Sequence, residues 1–191
     1  MKRKWKLWMI AFVVFVMTDI MMQSNRAEAK KRTFTVSSKT IPCSSSYRQK
    51  PYYNKKTKQY YMINSYMRRL STTGGTLKLK KGTYKIPGTI YVPSNVKIVC
   101  ANGVKIKKTK ATGTKKVKST KFLFQMISEE KASGKQNTGK YAASKNASIQ
   151  GNGKVIFDMG NVNGATAVFV GHASGITAVS YTHLRAHETR H

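Results

Sequence analysis

The residues able to do chemistry in this chain are poor in acid and rich in base. Of its 191 residues, 36 are Lys or Arg and 6 are Asp or Glu, giving a formal net charge of +30. Between residues 30 and 177 the carboxylates are Glu129, Glu130 and Asp158. Glycoside hydrolysis needs two carboxyl groups facing each other across the bond. Glu129 and Glu130 are neighbours in a polar stretch and read as solvated, while Asp158 closes an apolar strand, so no pair is evident. His172, in Gly171-His-Ala-Ser174, reads either as a cleft residue or as a hydrogen-bonded turn residue. His187-Glu-Thr-Arg-His191 matches H-E-x-x-H, which on a helix sets two imidazoles one turn apart for zinc with a glutamate base between them. The match has no third ligand downstream and no apolar residues to seat a helix, so no metal site is assigned. A Walker loop, a Rossmann turn and a Ser/His/Asp order are all absent.

The bases divide into 28 Lys and 8 Arg. Arg is the bidentate reader of phosphates and bases, and Lys is a mobile point charge. With so little Arg and no groove-reading motif, specific nucleic-acid recognition is not expected. The lysines concentrate in Lys105–Lys121, which holds eight of them and no acid. Lys107, Lys108, Lys110, Lys115, Lys116 and Lys118 are the candidate ligand-binding residues. As a protruding loop or β-arm they would grip carboxylates or phosphates through charge, weakened by salt. A run of like charges is equally the signature of a solvated loop. For the chain as a whole, the lysines suit a polyanion met outside the cell, or they solubilise a β surface and blunt its edges.

The elements that must position these groups are short strands. From Gly74 to Ile106, apolar residues alternate at Leu77/Leu79, Tyr84/Ile86, Ile90/Val92, Val96/Ile98/Cys100 and Val104/Ile106. Gly74-Gly75, Lys81-Gly82, Pro87-Gly88, Pro93-Ser94-Asn95 and Asn102-Gly103 punctuate them. Such alternation marks half-buried strands, and Gly, Pro and Asn mark the corners. Strands expected at Thr76–Leu79, Val96–Cys100, Phe122–Met126, Ala147–Gln150 and Gly175–Thr177 recur at the period of one coil of a solenoid. Lys154–Asp158 and Ala165–Val170 would form other faces. Before the ladder, Tyr60, Ile63, Met67 and Leu70 share one helical face, with Asn54 as the expected N-cap of a helix over 54–70. That helix would close the open end of the winding. Tyr53, Tyr60 and Tyr61 pack in that cap or, alternatively, form a sugar-stacking platform.

The order Gly-Gly-Thr strand, Gly-Thr-Tyr strand, Pro-Ser-Asn corner in GGTLKLKKGTYKIPGTIYVPSNVKI resembles the opening coils of the pectate-lyase-like superfamily. Asn146–Asp158 and Gly171–Thr177 extend the likeness. The resemblance implies an all-β, right-handed parallel β-helix with an N-terminal capping helix, its first coils spanning residues 51–178. It further implies a protein that binds and cleaves acidic, uronate-containing polysaccharide, as a lyase or glycoside hydrolase. A noncatalytic binder of wall polymers and a tailspike- or adhesin-like solenoid stand as alternatives. Lyases of this superfamily use a Lys or Arg base, often with Ca²⁺ held by carboxylates, so Ca²⁺ enters only through the resemblance.

The ends are expected to differ from this body. Residues 1–29 read as a signal peptide: a basic start, the apolar run Leu7–Met17, and Ala27-Glu28-Ala29 as a small-x-small cleavage site. A secreted or cell-surface protein without a membrane span is then expected. Residues 1–29 carry five basic and two acidic residues, and without them the charge is +27. Residues 30–50 read as a linker or a loose first strand. Residues 179–191 resemble translated sequencing-adaptor read-through, and the native solenoid is expected to continue beyond them. Of the two cysteines, Cys100 shares an inward face with Val96 and Ile98, and Cys43 lies in a Ser-rich stretch. Two thiols permit a bridge without establishing one.

Overall fold

The computed structural model describes residues 31–134 and 143–179. The expected signal peptide and the His187–His191 motif lie outside the described residues.

Eleven strands are described: β1 (Arg32–Val36), β2 (Gly75–Leu79), β3 (Gly82–Ile86), β4 (Ile90–Tyr91), β5 (Val96–Cys100), β6 (Val104–Lys108), β7 (Phe122–Gln125), β8 (Ser148–Gly151), β9 (Val155–Asp158), β10 (Thr166–Phe169) and β11 (Thr177–Val179). Three helices join them: α1 (Ser45–Arg48), α2 (Lys58–Ser71) and α3 (Glu129–Ser133). The strands form three sheets. The first runs β1-β2-β5-β8-β11, the second β3-β6-β9 and the third β10-β7-β4. Every pairing is parallel. From β2 onward the chain visits the first, second and third sheets in turn, three times over, and returns to the first with β11. The fold is therefore all-β and solenoid-like.

Period-two alternation produces this winding because each strand sends every second side chain inward, where it meets its counterpart one coil away. Leu77, Ile98 and Ile149 form one such row, and Tyr84, Ile106 and Phe157 another. Leu79 pairs with Cys100. All of these except Phe157, which is half-buried, are buried. A strand cannot bury its apolar row alone, so each coil depends on its neighbours.

The corner before the first sheet sets the register. Gly74, Asn95, Asn146 and Gly175 precede β2, β5, β8 and β11, and all four are left-handed, with φ of 66°, 59°, 53° and 61°. Only Gly, and next Asn, adopts that conformation at little cost. The Asn146 side-chain amide donates to Asn95 Oδ1 at 3.4 Å, stacking two corners directly. At Gly75 a side chain is excluded altogether, since a Cβ would lie 2.1 Å from the Arg32 carbonyl oxygen.

This register corrects the coil period expected from the sequence. Phe122–Gln125 does not follow β5 in the first sheet but pairs with β4 and β10 in the third. The residue opposite Lys97 is Ser148, so that coil is 51 residues long. It carries two excursions, residues 109–121 and the stretch containing α3, that interrupt a coil without starting another. Residues 30–50 divide likewise: Arg32–Val36 is the first strand, in register with all of β2. At the other end Val179, assigned above to the foreign tail, pairs with Gln150 in β11.

Helix α2 starts later than expected, with Thr57 at its N-cap. Asn54 instead forms the turn before it, its Oδ1 accepting from the Lys56 and Thr57 amides at 2.8 and 3.3 Å. Met62, Ile63, Met67 and Leu70 are buried on the face turned to the core. No helix among the described residues is long and apolar enough to cross a membrane.

Candidate anion-binding groove

A groove of about 600 Å³ lies over the outer face of the second sheet. Its cations are Lys55, Lys56, Lys85, Lys107 and Lys110, joined by Thr109, Ala111 and Asn161. Three segments supply it. Lys85 and Lys107 are outward residues of β3 and β6 and stand directly opposite each other in the ladder. Lys110 comes from the excursion leaving β6. Lys55 and Lys56 come from the Asn54 turn, whose side-chain amide donates to the Thr112 carbonyl at 3.0 Å and ties the two walls together.

Strand neighbours are about 4.8 Å apart, and like charges directly opposite are destabilising. The first sheet avoids that arrangement. There Lys78 lies between Thr35 and Val99, and Lys97 between Thr76 and Ser148. In the second sheet Lys85 stacks on Lys107 with no carboxylate between. Asp158 stands on the far side of Lys107 and meets Lys105 and Lys107 at 3.2 and 3.9 Å. Burial pushes the Asp158 carboxyl upward. The Lys105 hydrogen bond, the Gly160 amide and the charges of Lys105 and Lys107 outweigh it and hold the group below its usual range. Lys107 is thus partly compensated, whereas among the described residues no ion pair involves Lys85.

The six lysines expected to bind do not act together. Lys107 and Lys110 line the groove. Lys115, Lys116 and Lys118 are exposed on the same excursion but do not line it. Lys108 is a correction: it was expected on a protruding loop and is 0 % exposed at the end of β6. Its position is inward, opposite Ile86, because Val104–Lys108 continues the strand alternation. The Lys108 ammonium donates to the Gly88 carbonyl, to Thr120 Oγ1 at 3.0 Å and to the Phe122 carbonyl at 2.7 Å. Three acceptors match the three N–H groups of an ammonium. Burial acts the other way and pulls the pKa down to about 7.

Lys55, Lys56 and Lys85 were not singled out from the sequence. Lys85 could have been found from strand parity, which places it outward in the Gly-Thr-Tyr strand, one coil before Lys107.

The other candidate groups are separate from the groove. Glu129, half-buried, and Glu130, exposed, begin α3, on a turn capped by Ser128. Glu130 approaches Arg68 at 3.9 Å with both side chains exposed. Among the described residues no three or more His, Cys, Asp or Glu side chains gather, so these carboxylates do not make the oxygen cluster that Ca²⁺ takes. His172 is an exposed turn residue at φ 54° whose carbonyl accepts from the Ala143 amide at 3.1 Å. Tyr60 and Tyr61 pack edge to face at 4.9 Å, and Tyr61 is buried. Tyr60 also seals Gly88, where a Cβ would lie 2.5 Å from its ring. These rings pack around α2 and the Gly88 corner rather than forming an open stacking platform. Cys43 and Cys100 are both free thiols, the first exposed and the second buried. Burial pushes the Cys100 thiol up to about 12.

Compared with known proteins, the chain matches no family model, no curated protein and no solved structure.

Proposed function

We propose that this chain forms coils of a secreted, right-handed parallel β-helix that binds acidic, uronate-containing polysaccharide along the lysine groove. One observation carries the reading: the directly stacked pair Lys85–Lys107, held without a carboxylate between them. Two adjacent like charges cost stability in the free protein, and an anion lying across them removes that cost. A polymer with a carboxylate on each sugar supplies such anions repeatedly, which suits cations drawn from three chain segments. Lysines offer point charges with little geometric demand, as fits a flexible glycan better than a planar base.

Cleavage by β-elimination needs a base beside the uronate carboxylate. The groove offers lysines for that role, while hydrolysis would need a carboxyl pair, which the described residues do not bring together. The reading is therefore of binding first, with elimination as its catalytic form. Titration with polygalacturonate at low and high salt tests it, followed by ultraviolet absorbance for an unsaturated uronate product. Binding that weakens as salt rises supports the proposal. Absence of binding at low salt, or indifference to salt, contradicts it. Product absorbance separates the lyase from the binding-only form.

A further inference from the structure

The excursion 109–121 reaches the groove through Lys110, and an exposed lysine-rich segment would not by itself hold a fixed position. Its two ends are nevertheless fastened at one point inside the core. Lys108 immediately precedes the excursion, and its ammonium reaches Thr120 Oγ1 and the Phe122 carbonyl where the excursion ends. The same ammonium donates to the Gly88 carbonyl, at the corner between β3 and β4. Three segments thus converge on one buried cation. Around it, Thr89 Oγ1 lies 2.8 Å from Thr120 Oγ1, and Ser119 Oγ donates to the Thr109 carbonyl at 2.9 Å. The Lys108 carbonyl in turn accepts from Asn161 Nδ2, a groove residue, at 3.4 Å.

The energetic logic favours a fastening role. Burying a cation is costly unless it is fully hydrogen-bonded, and a methionine or leucine would fill an inward strand position without that cost. Lys107 and Lys108 are adjacent on one strand, so period two turns the first out to the groove and the second in to its foundation.

We propose that Lys108 is a positioning residue for the groove: its buried ammonium clamps both ends of the 109–121 excursion to the Gly88 corner and so fixes the wall that carries Lys110. This rests on the groove reading above and adds to it a residue that touches no ligand. The test uses the full chain with Lys108→Met, and with Thr120→Val as a milder variant that removes one acceptor. Three quantities are measured below pH 7, where the folded chain keeps the Lys108 proton: hydrogen exchange across 109–121, affinity for polygalacturonate at low salt, and the salt dependence of that affinity.

Exchange in the excursion should rise while β2 and β5 keep their protection. Affinity should fall roughly tenfold. The salt dependence should stay that of the wild type, because the number of ionic contacts is unchanged, whereas Lys107→Ala should flatten it. Unchanged exchange overturns the clamp. Faster exchange with unchanged affinity, or a flattened salt dependence in Lys108→Met, overturns the positioning role. If Lys108→Met does not fold, Thr120→Val is read alone by the same criteria. A wild-type chain that ignores polygalacturonate while the variants loosen the excursion sinks the groove reading and the positioning role, and leaves the clamp standing.

Discussion

The first and second sheets are built on one pattern and differ in what they place outside. The first buries Leu, Ile, Val and Cys, the second Tyr, Ile and Val, and both carry lysines on the solvent face. On the first sheet each outward lysine in the ladder has neutral neighbours, as Lys78 has Thr35 and Val99. On the second, Lys85 meets Lys107. A high lysine content therefore does not by itself mark a binding face, since spaced lysines solubilise and guard edges. Stacking is what distinguishes the second sheet, and the groove lies over it.

The inner rows should be insensitive to this difference. Ile106 is 0 % exposed between Tyr84 and Phe157. Ile106→Ala should cost about 2–5 kcal/mol in denaturant unfolding, as should a matching change at Ile98 in the first sheet. A much smaller cost at Ile106 would mean that the second sheet is loosely packed and that its outer face is poorly defined.

The inward lysine makes a second contrast, because the first sheet has no counterpart to Lys108. In the unfolded chain Lys108 keeps its proton up to the ordinary lysine range, while in the folded chain burial brings its pKa down to about 7. Between those limits the unfolded state binds more protons, so stability rises with pH there and is flat below. The full shift corresponds to a rise of about 5 kcal/mol, and Lys108→Met should abolish it. The three acceptors around the ammonium oppose burial, so a shallow slope would show that they prevail and that the lysine stays charged.

Asp158 offers the smallest effect. Its folded pKa lies below the ordinary value, so its contribution is present above about pH 4 and is lost as pH falls through the folded pKa. Asp158→Asn should cost about 0–1 kcal/mol, since the pair is partly exposed. It should also tighten polyanion binding by releasing Lys107, measurable by titration at fixed salt. Weaker binding would place Asp158 with the ligand-binding groups instead.

Much of the winding was legible because strand alternation and Gly/Asn corners are local signals. The face carrying Tyr60, Ile63, Met67 and Leu70 was legible for the same reason, while the start of α2 was misplaced because Asn54 caps a turn as readily as a helix. The sheet assignment of Phe122 was missed because even spacing was taken for register. A partial signal was present: β2, β5, β8 and β11 each follow a left-handed Gly or Asn and Phe122 follows Thr120-Lys121, although Gly103, Gly153 and Gly164 likewise precede β6, β9 and β10 of the other sheets. Lys108 was misread because a charge run hid the last inward position of a strand. The groove itself joins residues 55–56, 85, 107–111 and 161, and nothing short of the coil register brings these together.

The central claim is that stacked lysines, not lysines in general, bind the polyanion. Lys85→Glu and Lys78→Glu make the same change in charge on outward positions of consecutive strands in different sheets, one stacked in the groove and one between neutral neighbours. Polygalacturonate affinity at low salt should fall roughly tenfold or more for Lys85→Glu and by much less for Lys78→Glu. Equal losses in the two variants would contradict the account and reduce the binding to net charge.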